Sequence, residues 1–142
     1  MDRTGSAVWK GGIKDGSGVV STESGVLKET QYSYSSRFES GTGTNPEELL
    51  GAAHAGCFSM ALSGALNQAG LSPEKIETSA KVTVVPDGGG FTITKVHLDV
   101  SVKVPGTSDE DFQNIAMRAK EGCPVSKLFQ GAEITMDARL KS

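Results

Sequence analysis

The stretch TNPEELLGAAHAGCFSMALSGALNQAG, residues 44–70, limits the fold more than any other part of the chain. It reads as one helix from start to stop. Asn45 suits the N-cap, and Pro46 sits at N1, where a missing N–H costs nothing. Glu48 falls at N3 and is placed to complete a capping box. Gly70 supplies the left-handed turn that ends the helix. At ~1.5 Å per residue such a helix is about 36 Å long, enough to span a domain. Its middle is small: Gly51, Ala52, Ala53, Ala55, Gly56, Ala61, Gly64 and Ala65. Each glycine there costs roughly 1 kcal/mol of helix propensity, so something must press close to the backbone. Cys57 lies inside this run.

The segments around the helix alternate. Residues 8–13 and 18–22 flank Asp15-Gly16, a turn dipeptide, and predict a hairpin. Residues 32–38 put Tyr32, Tyr34, Ser36 and Phe38 on one face and Ser33, Ser35 and Arg37 on the other, which predicts another extended segment. Beyond the helix, Ile76, Thr78, Ala80, Val82 and Val84 alternate with polar residues and predict a half-buried strand. A second long strand, residues 91–104, follows the PDGGG reversal. Val96, Leu98, Val100, Val102 and Val104 have opposite parity to Phe91 and Ile93, so a bulge is predicted near Thr94-Lys95. His97 falls on the wet face with Asp99 and Ser101. Ser108 and Asp111 form a capping pattern ahead of the helical stripe Phe112, Ile115, Ala116 and Ala119. Cys123-Pro124 opens a short helix, and residues 134–140 alternate as a last strand. One-faced antiparallel sheets covered by helices, an α+β fold in a single domain over residues 1–142, accommodate this order.

Composition removes several function classes. The net charge is −3, and no Lys/Arg block exists to neutralise a nucleic-acid backbone. The apolar run over residues 49–66 contains His54, Ser59, Ser63 and several glycines, and reads as a buried helix rather than a membrane span. The N-terminus lacks the apolar core of a secretory leader, which places the chain in the cytoplasm with its two cysteines largely reduced. No dinucleotide, P-loop, HExxH or CxxC motif is present.

The cysteines are the candidates for chemistry. Cys57 follows His54 by three residues on one helix face, but HxxC alone is a thin metal-ligand set. Inert core filling is the plain alternative for Cys57. Cys123 occupies an N-cap position before Pro124, where N–H dipoles stabilise a thiolate. By that physics alone Cys123 is the reactive thiol. Cys57, some three turns into its helix, needs a cation. Arg37, just upstream, is the nearest suitable one. Glu47 lies about 80° around the helix from Cys57, whereas Glu48 lies on the opposite side, so Glu47 is the better acid to steer Arg37.

GTNPEELLGAAHAGCFSMAL, followed some 66 residues later by GCPVS, resembles the OsmC/Ohr family of thiol-dependent hydroperoxide reductases. The resemblance is closest to the osmotically inducible OsmC branch. It extends to AVWKGGIKDGSGVVSTESG, YSYSSRFE and AEITMDARL, nearly the whole chain. It implies a two-layer fold, antiparallel sheets around a long central helix, and an intertwined homodimer with active sites at the subunit interface. It implies that Cys57 is the peroxidatic cysteine, Cys123 the resolving one, and Arg37 and Glu47 the supporting charges. It assigns His54 no catalytic role. It also overrules the N-cap argument about which sulfur attacks.

The implied chemistry is reduction of an organic hydroperoxide by Cys57, then a disulfide with Cys123. A dithiol, in the family a lipoyl protein, regenerates the pair. No metal, haem or flavin is called for. Phe58, Met60, Leu128 and Phe129 are apolar candidates for a substrate pocket, with core packing as the alternative for each. A small-molecule or lipid carrier and a redox-responsive interaction protein are the rival readings.

Overall fold

The computed structural model describes residues 1–141 as two compact units, Met1–Leu49 and Leu50–Ser142. The first carries an antiparallel sheet of β1 (Gly5–Lys10), β2 (Ser17–Thr22) and β3 (Thr30–Tyr32), in that order. Gly18 stands opposite both Trp9 and Tyr32. A Cβ there would meet the two rings at 2.5 and 2.6 Å, so glycine is what lets them pack across it, with centroids 5.5 Å apart.

The extended reading of residues 32–38 is corrected. β3 stops at Tyr32, and Tyr34–Phe38 form a short helix, α1. The cause is a reciprocal capping box. Ser33 Oγ accepts the Ser36 N–H at 3.1 Å, and Ser36 Oγ accepts the Ser33 N–H at 2.8 Å. Serines that looked like one face of a strand are the clasp of a helix start. Tyr34 and Phe38, four residues apart, then meet edge-on at 5.1 Å.

The long helix α2 (Pro46–Gln68) begins where expected. Asn45 Oδ1 accepts the Glu48 N–H at 2.7 Å. The other half of the expected box is absent: the Glu48 carboxylate takes the Thr44 hydroxyl at 2.7 Å instead.

In the second unit, α2 is followed by β4 (Lys75–Asp87), β5 (Gly90–Lys103), α3 (Asp109–Gly122), α4 (Pro124–Leu128) and β6 (Glu133–Lys141). The sheet order is β4-β5-β6. Thr83 pairs with Lys95 and Val84 with Ile93, leaving Thr94 as the extra residue of the predicted bulge. The all-antiparallel expectation fails at one pairing: β6 runs parallel to β5. The long connection through α3 and α4 permits this, because it returns the chain to the end of the sheet from which β5 set out.

The apolar core is built from Phe58, Leu62 and Leu66 of α2, alternate valines and Leu98 of β5, and Phe112, Ile115, Ala116 and Ala119 of α3. On α2 the buried positions Gly51, His54, Phe58, Leu62 and Leu66 trace one stripe. A Cβ at Gly51 would sit 2.9 Å from the Ala80 carbonyl oxygen, so β4 presses on the helix there. One face of α2 packs on this core and the opposite face is bare on this chain. Ala52, Ala53, Gly56, Met60 and Gly64 are exposed, Met60 by 80%. Gly56 and Gly64 face open space on this chain. By length and composition α2 is apolar enough to cross a membrane, but one of its faces is built into this core.

Candidate active site

Each unit assembles one of the two predicted pairs. In the first unit, Arg37 comes from the last turn of α1 and Glu47 from the first turn of α2. Arg37 Nε donates to Glu47 Oε1 at 2.9 Å. The Glu47 side chain is 9% exposed and that of Arg37 37%, so the acid is fixed in the protein and the guanidinium reaches outward. Glu47 Oε2 is buried without a partner among the described residues. The start of α2 is tied to α1 by Asn45, whose Nδ2 donates to the Ser36 carbonyl at 3.1 Å, and by Ser36 Oγ, which donates to the Thr44 carbonyl at 2.7 Å. These bonds fix the two elements that carry the ion pair. The Arg37 guanidinium also lies 4.9 Å from the Phe38 ring centroid. Beside it is a cavity of about 320 Å³ lined by Trp9, Ile13, Tyr32, Ser33, Tyr34, Arg37 and Phe38.

In the second unit, the cysteines meet across 66 residues of sequence: Cys123 Sγ lies 3.1 Å from Cys57 Sγ. Both are free thiols, with Cys57 partly exposed and Cys123 fully buried. A disulfide needs the sulfurs about 1 Å closer. Burial pushes Cys123 up, but the Ser126 amide, the Cys57 thiol, the Ser126 hydroxyl and the Val125 amide outweigh it, and the net direction is down. No capping hydrogen bond of full geometry is made by the Cys123 side chain; the amides act as nearby dipoles. Cys57 moves the other way. Burial raises it most, the Val125 amide lowers it by less, and its hydrogen bond to Cys123 and the charge on that sulfur add smaller increases. The sulfurs lie within hydrogen-bond distance, and once Cys123 ionises the Cys57 S–H donates to its thiolate. The downward direction for Cys123 agrees with the N-cap reasoning about its acidity.

Two residues near this pair carry a feature that sequence reasoning missed. His54 is fully buried, and its Nε2 lies 2.7 Å from Ser126 Oγ. Its Nδ1 is buried without a partner among the described residues, and burial lowers its pKa. The available signal was a pair of spacings: His54 three residues before Cys57, and Ser126 three after Cys123. Of the apolar pocket candidates, Phe58 is core and Met60 is surface. Leu128 and Phe129 do line a cavity of about 250 Å³, together with Leu50, Val82, Ile93 and Val96. His97 bonds Thr135 and Asp137 at the sheet surface. No group of three or more His, Cys, Asp or Glu residues suited to a metal ion occurs among the described residues.

A long helix whose partly exposed thiol faces a buried second thiol defines a dithiol protein of α+β fold. Residues 39–138 match the model of the OsmC-like protein family, and the chain belongs to that family. It is 53% identical to peroxiredoxin OsmC of Escherichia coli strain K12, over all of this chain and 99% of the relative. The crystal structure of the organic hydroperoxide resistance protein OhrB of Bacillus subtilis superposes with a TM-score of 0.67 at 26% identity, covering 97% of this chain and 98% of that one. An OsmC-like protein from Mycoplasma pneumoniae shares the fold at a TM-score of 0.77 and 14% identity, over all of this chain and 99% of its own.

Proposed function

We infer that this chain is a cysteine-based peroxidase that reduces organic hydroperoxides to alcohols. The observation that carries the reading is the 3.1 Å thiol pair with unequal access. A peroxide can reach the partly exposed Cys57 but not the fully buried Cys123. Access therefore sorts the roles that acidity alone would reverse. The Cys57 thiolate attacks the terminal peroxide oxygen; the O–O bond breaks, the alcohol leaves, and Cys57 becomes a sulfenic acid. Cys123 closes the disulfide and water leaves. A dithiol then attacks Cys57, and the acidic Cys123 departs readily as a thiolate. We assign this reducing role to the dihydrolipoyl group of a lipoyl protein.

Cys57 is disfavoured as a thiolate by its own unit, so it requires positive charge during reaction. We assign that charge to Arg37, which stabilises the Cys57 thiolate and the charge that develops on the peroxide oxygens, while Glu47 holds the guanidinium. The working form is assigned as an intertwined homodimer. Support comes from apolar surface left bare on one chain: Met60 with the small residues beside it on α2, and Val8, Trp9 and Ile13 in the first unit. A cytoplasmic location, where thiols stay reduced, suits the cycle.

The test is steady-state turnover of an alkyl hydroperoxide with dihydrolipoamide by the purified protein. Turnover well above the uncatalysed rate is expected. Binding of the hydroperoxide without its reduction would leave a carrier in place of an enzyme.

A further inference from the structure

Four polar groups, His54, Ser126, Cys123 and Cys57, neighbour one another in the second unit. His54 Nε2 stands 2.7 Å from Ser126 Oγ. Ser126 follows Cys123 by three residues in the first turn of α4, and its hydroxyl and amide both favour the Cys123 thiolate. That sulfur lies 3.1 Å from Cys57. His54, Ser126 and Cys123 are each buried. A fully buried imidazole with an unpartnered Nδ1 is a cost to folding that apolar packing at the same position would remove. Phe129 meets its ring edge-on at 5.3 Å. The titratable groups facing Cys123 are Cys57 directly and His54 behind Ser126. Ser126 and Phe129 face His54.

We propose that His54 is a positioning residue for the disulfide-forming step: by donating Nε2–H to Ser126 Oγ, it turns the Ser126 hydroxyl proton onto the Cys123 sulfur. A serine oxygen that accepts from histidine has its own O–H free to donate. A donated O–H stabilises a thiolate and not a thiol. Cys123, although fully buried, is thereby held ready to attack. With the opposite tautomer, Ser126 would donate to His54 and leave the sulfur without that proton, so the unpartnered Nδ1 is the acceptor that this arrangement leaves over.

The step balances within the chain. The Cys123 sulfur supplies the electron pair of the new S–S bond. The S–O bond of the Cys57 sulfenic acid breaks, with its pair leaving on oxygen. That oxygen takes a proton equivalent to the one Cys123 gave up on ionising, and departs as water. The sulfenic sulfur is reduced and the Cys123 sulfur is oxidised, so no further reactant enters. The inference deepens the peroxidase reading and rests on it for the step, but not for the hydrogen-bond chain.

The experiment titrates Cys123 directly, by pH-dependent alkylation and thiolate absorbance, in a Cys57→Ser background that needs no peroxide. Ser126→Ala and His54→Leu should both raise the Cys123 pKa. His54→Gln, whose amide nitrogen can donate near the position of Nε2, should restore it toward the parent. With Cys57 present, the same variants should shift the pH profile of disulfide closure upward after one equivalent of peroxide, with H54Q again recovering. Circular dichroism checks each fold; should H54L fail to fold, S126A and H54Q decide. An unmoved Cys123 titration in S126A, or an H54Q no better than H54L, overturns the proposal. A missing peroxide reaction with the expected titrations would overturn the peroxidase reading alone.

Discussion

The two units of this chain handle their apolar residues in opposite ways. Among the described residues, every fully buried large side chain belongs to the second unit, where β5 sends alternate residues into a core closed by α2 and α3. The first unit buries Ser36, Thr44 and Glu47, while every residue of β1 is exposed, Val8 and Trp9 included. Its order comes from hydrogen bonds: a capping box, a tied helix start and a charged pair. A unit of that size with no apolar core is marginal on its own. Chemistry divides along the same line, with sulfur in the unit that has a core and fixed charge in the unit that lacks one.

The largest effect should follow from attacking that division at the sulfur. Cys57→Ser should reduce hydroperoxide turnover to background, since a serine hydroxyl is not ionised near neutral pH. Arg37→Met should leave slow but measurable turnover, reduced about a hundredfold or more, as when a charge-stabilising donor is removed. Single-turnover peroxide consumption measures both. Equal loss in the two variants would break the distinction between an essential thiol and a supporting charge.

On stability, Phe58→Ala empties a fully buried site and should cost about 3–5 kcal/mol. Val8→Ala, at an exposed position of β1, should change the unfolding free energy of an isolated chain by roughly 0.5 kcal/mol or less. Denaturant unfolding at low protein concentration reads both. A large loss for Val8→Ala only at high concentration would show that another copy covers β1.

Legibility in the sequence follows the same contrast. Where an element packs one face on a core, its period exposes it. The bounds of α2, the inward valines of β5 and even the bulge at Thr94 were readable for that reason. Residues 34–38 were not, because serine hydroxyls rather than apolar packing determine their conformation. The parallel pairing of β6 depends on where a crossover returns the chain, which alternation does not encode. Cap position and helical phase singled out Cys123, Arg37 and Glu47 beside Cys57, the family resemblance supplied their roles, and the chain pairs the four residues two by two. The contact of His54 with Ser126 joins residues 72 apart through a single hydrogen bond, with no periodic trace.

Gly56→Leu probes the bare face of α2. Within one chain the new side chain meets open space, and replacing a helical glycine favours the helix by up to ~1 kcal/mol. Against a second copy packed on that face, the same side chain should overpack by about 1–3 kcal/mol. Sedimentation and thermal unfolding at several concentrations should therefore show a weaker dimer built from chains that are no less stable. A wild type that is monomeric at micromolar concentration and fully active would contradict the assigned assembly.

The smallest effect lies in the pH dependence of stability, where the two sulfurs pull in opposite directions. Cys123 has a depressed folded pKa. Between that value and its ordinary one, the unfolded chain binds more protons than the folded chain. Its stabilising contribution is therefore complete above the ordinary thiol pKa and is lost as pH falls through the folded one. Cys57 has a raised folded pKa, so its contribution is complete below the ordinary value and is lost as pH rises through the folded one. In the reduced wild type the two slopes partly cancel. Cys57→Ser keeps a hydroxyl donor to Cys123, so the stability of that variant should rise as pH climbs toward the ordinary thiol value. Cys123→Ser leaves Cys57 with its largest perturbation, burial, so its stability should fall above that value. One proton limits either slope to about 1.4 kcal/mol per pH unit. Urea unfolding of both variants in reductant, from neutral to mildly alkaline pH, measures them. Slopes of the same sign would mean that the two sulfurs do not differ in acidity in the way their surroundings dictate.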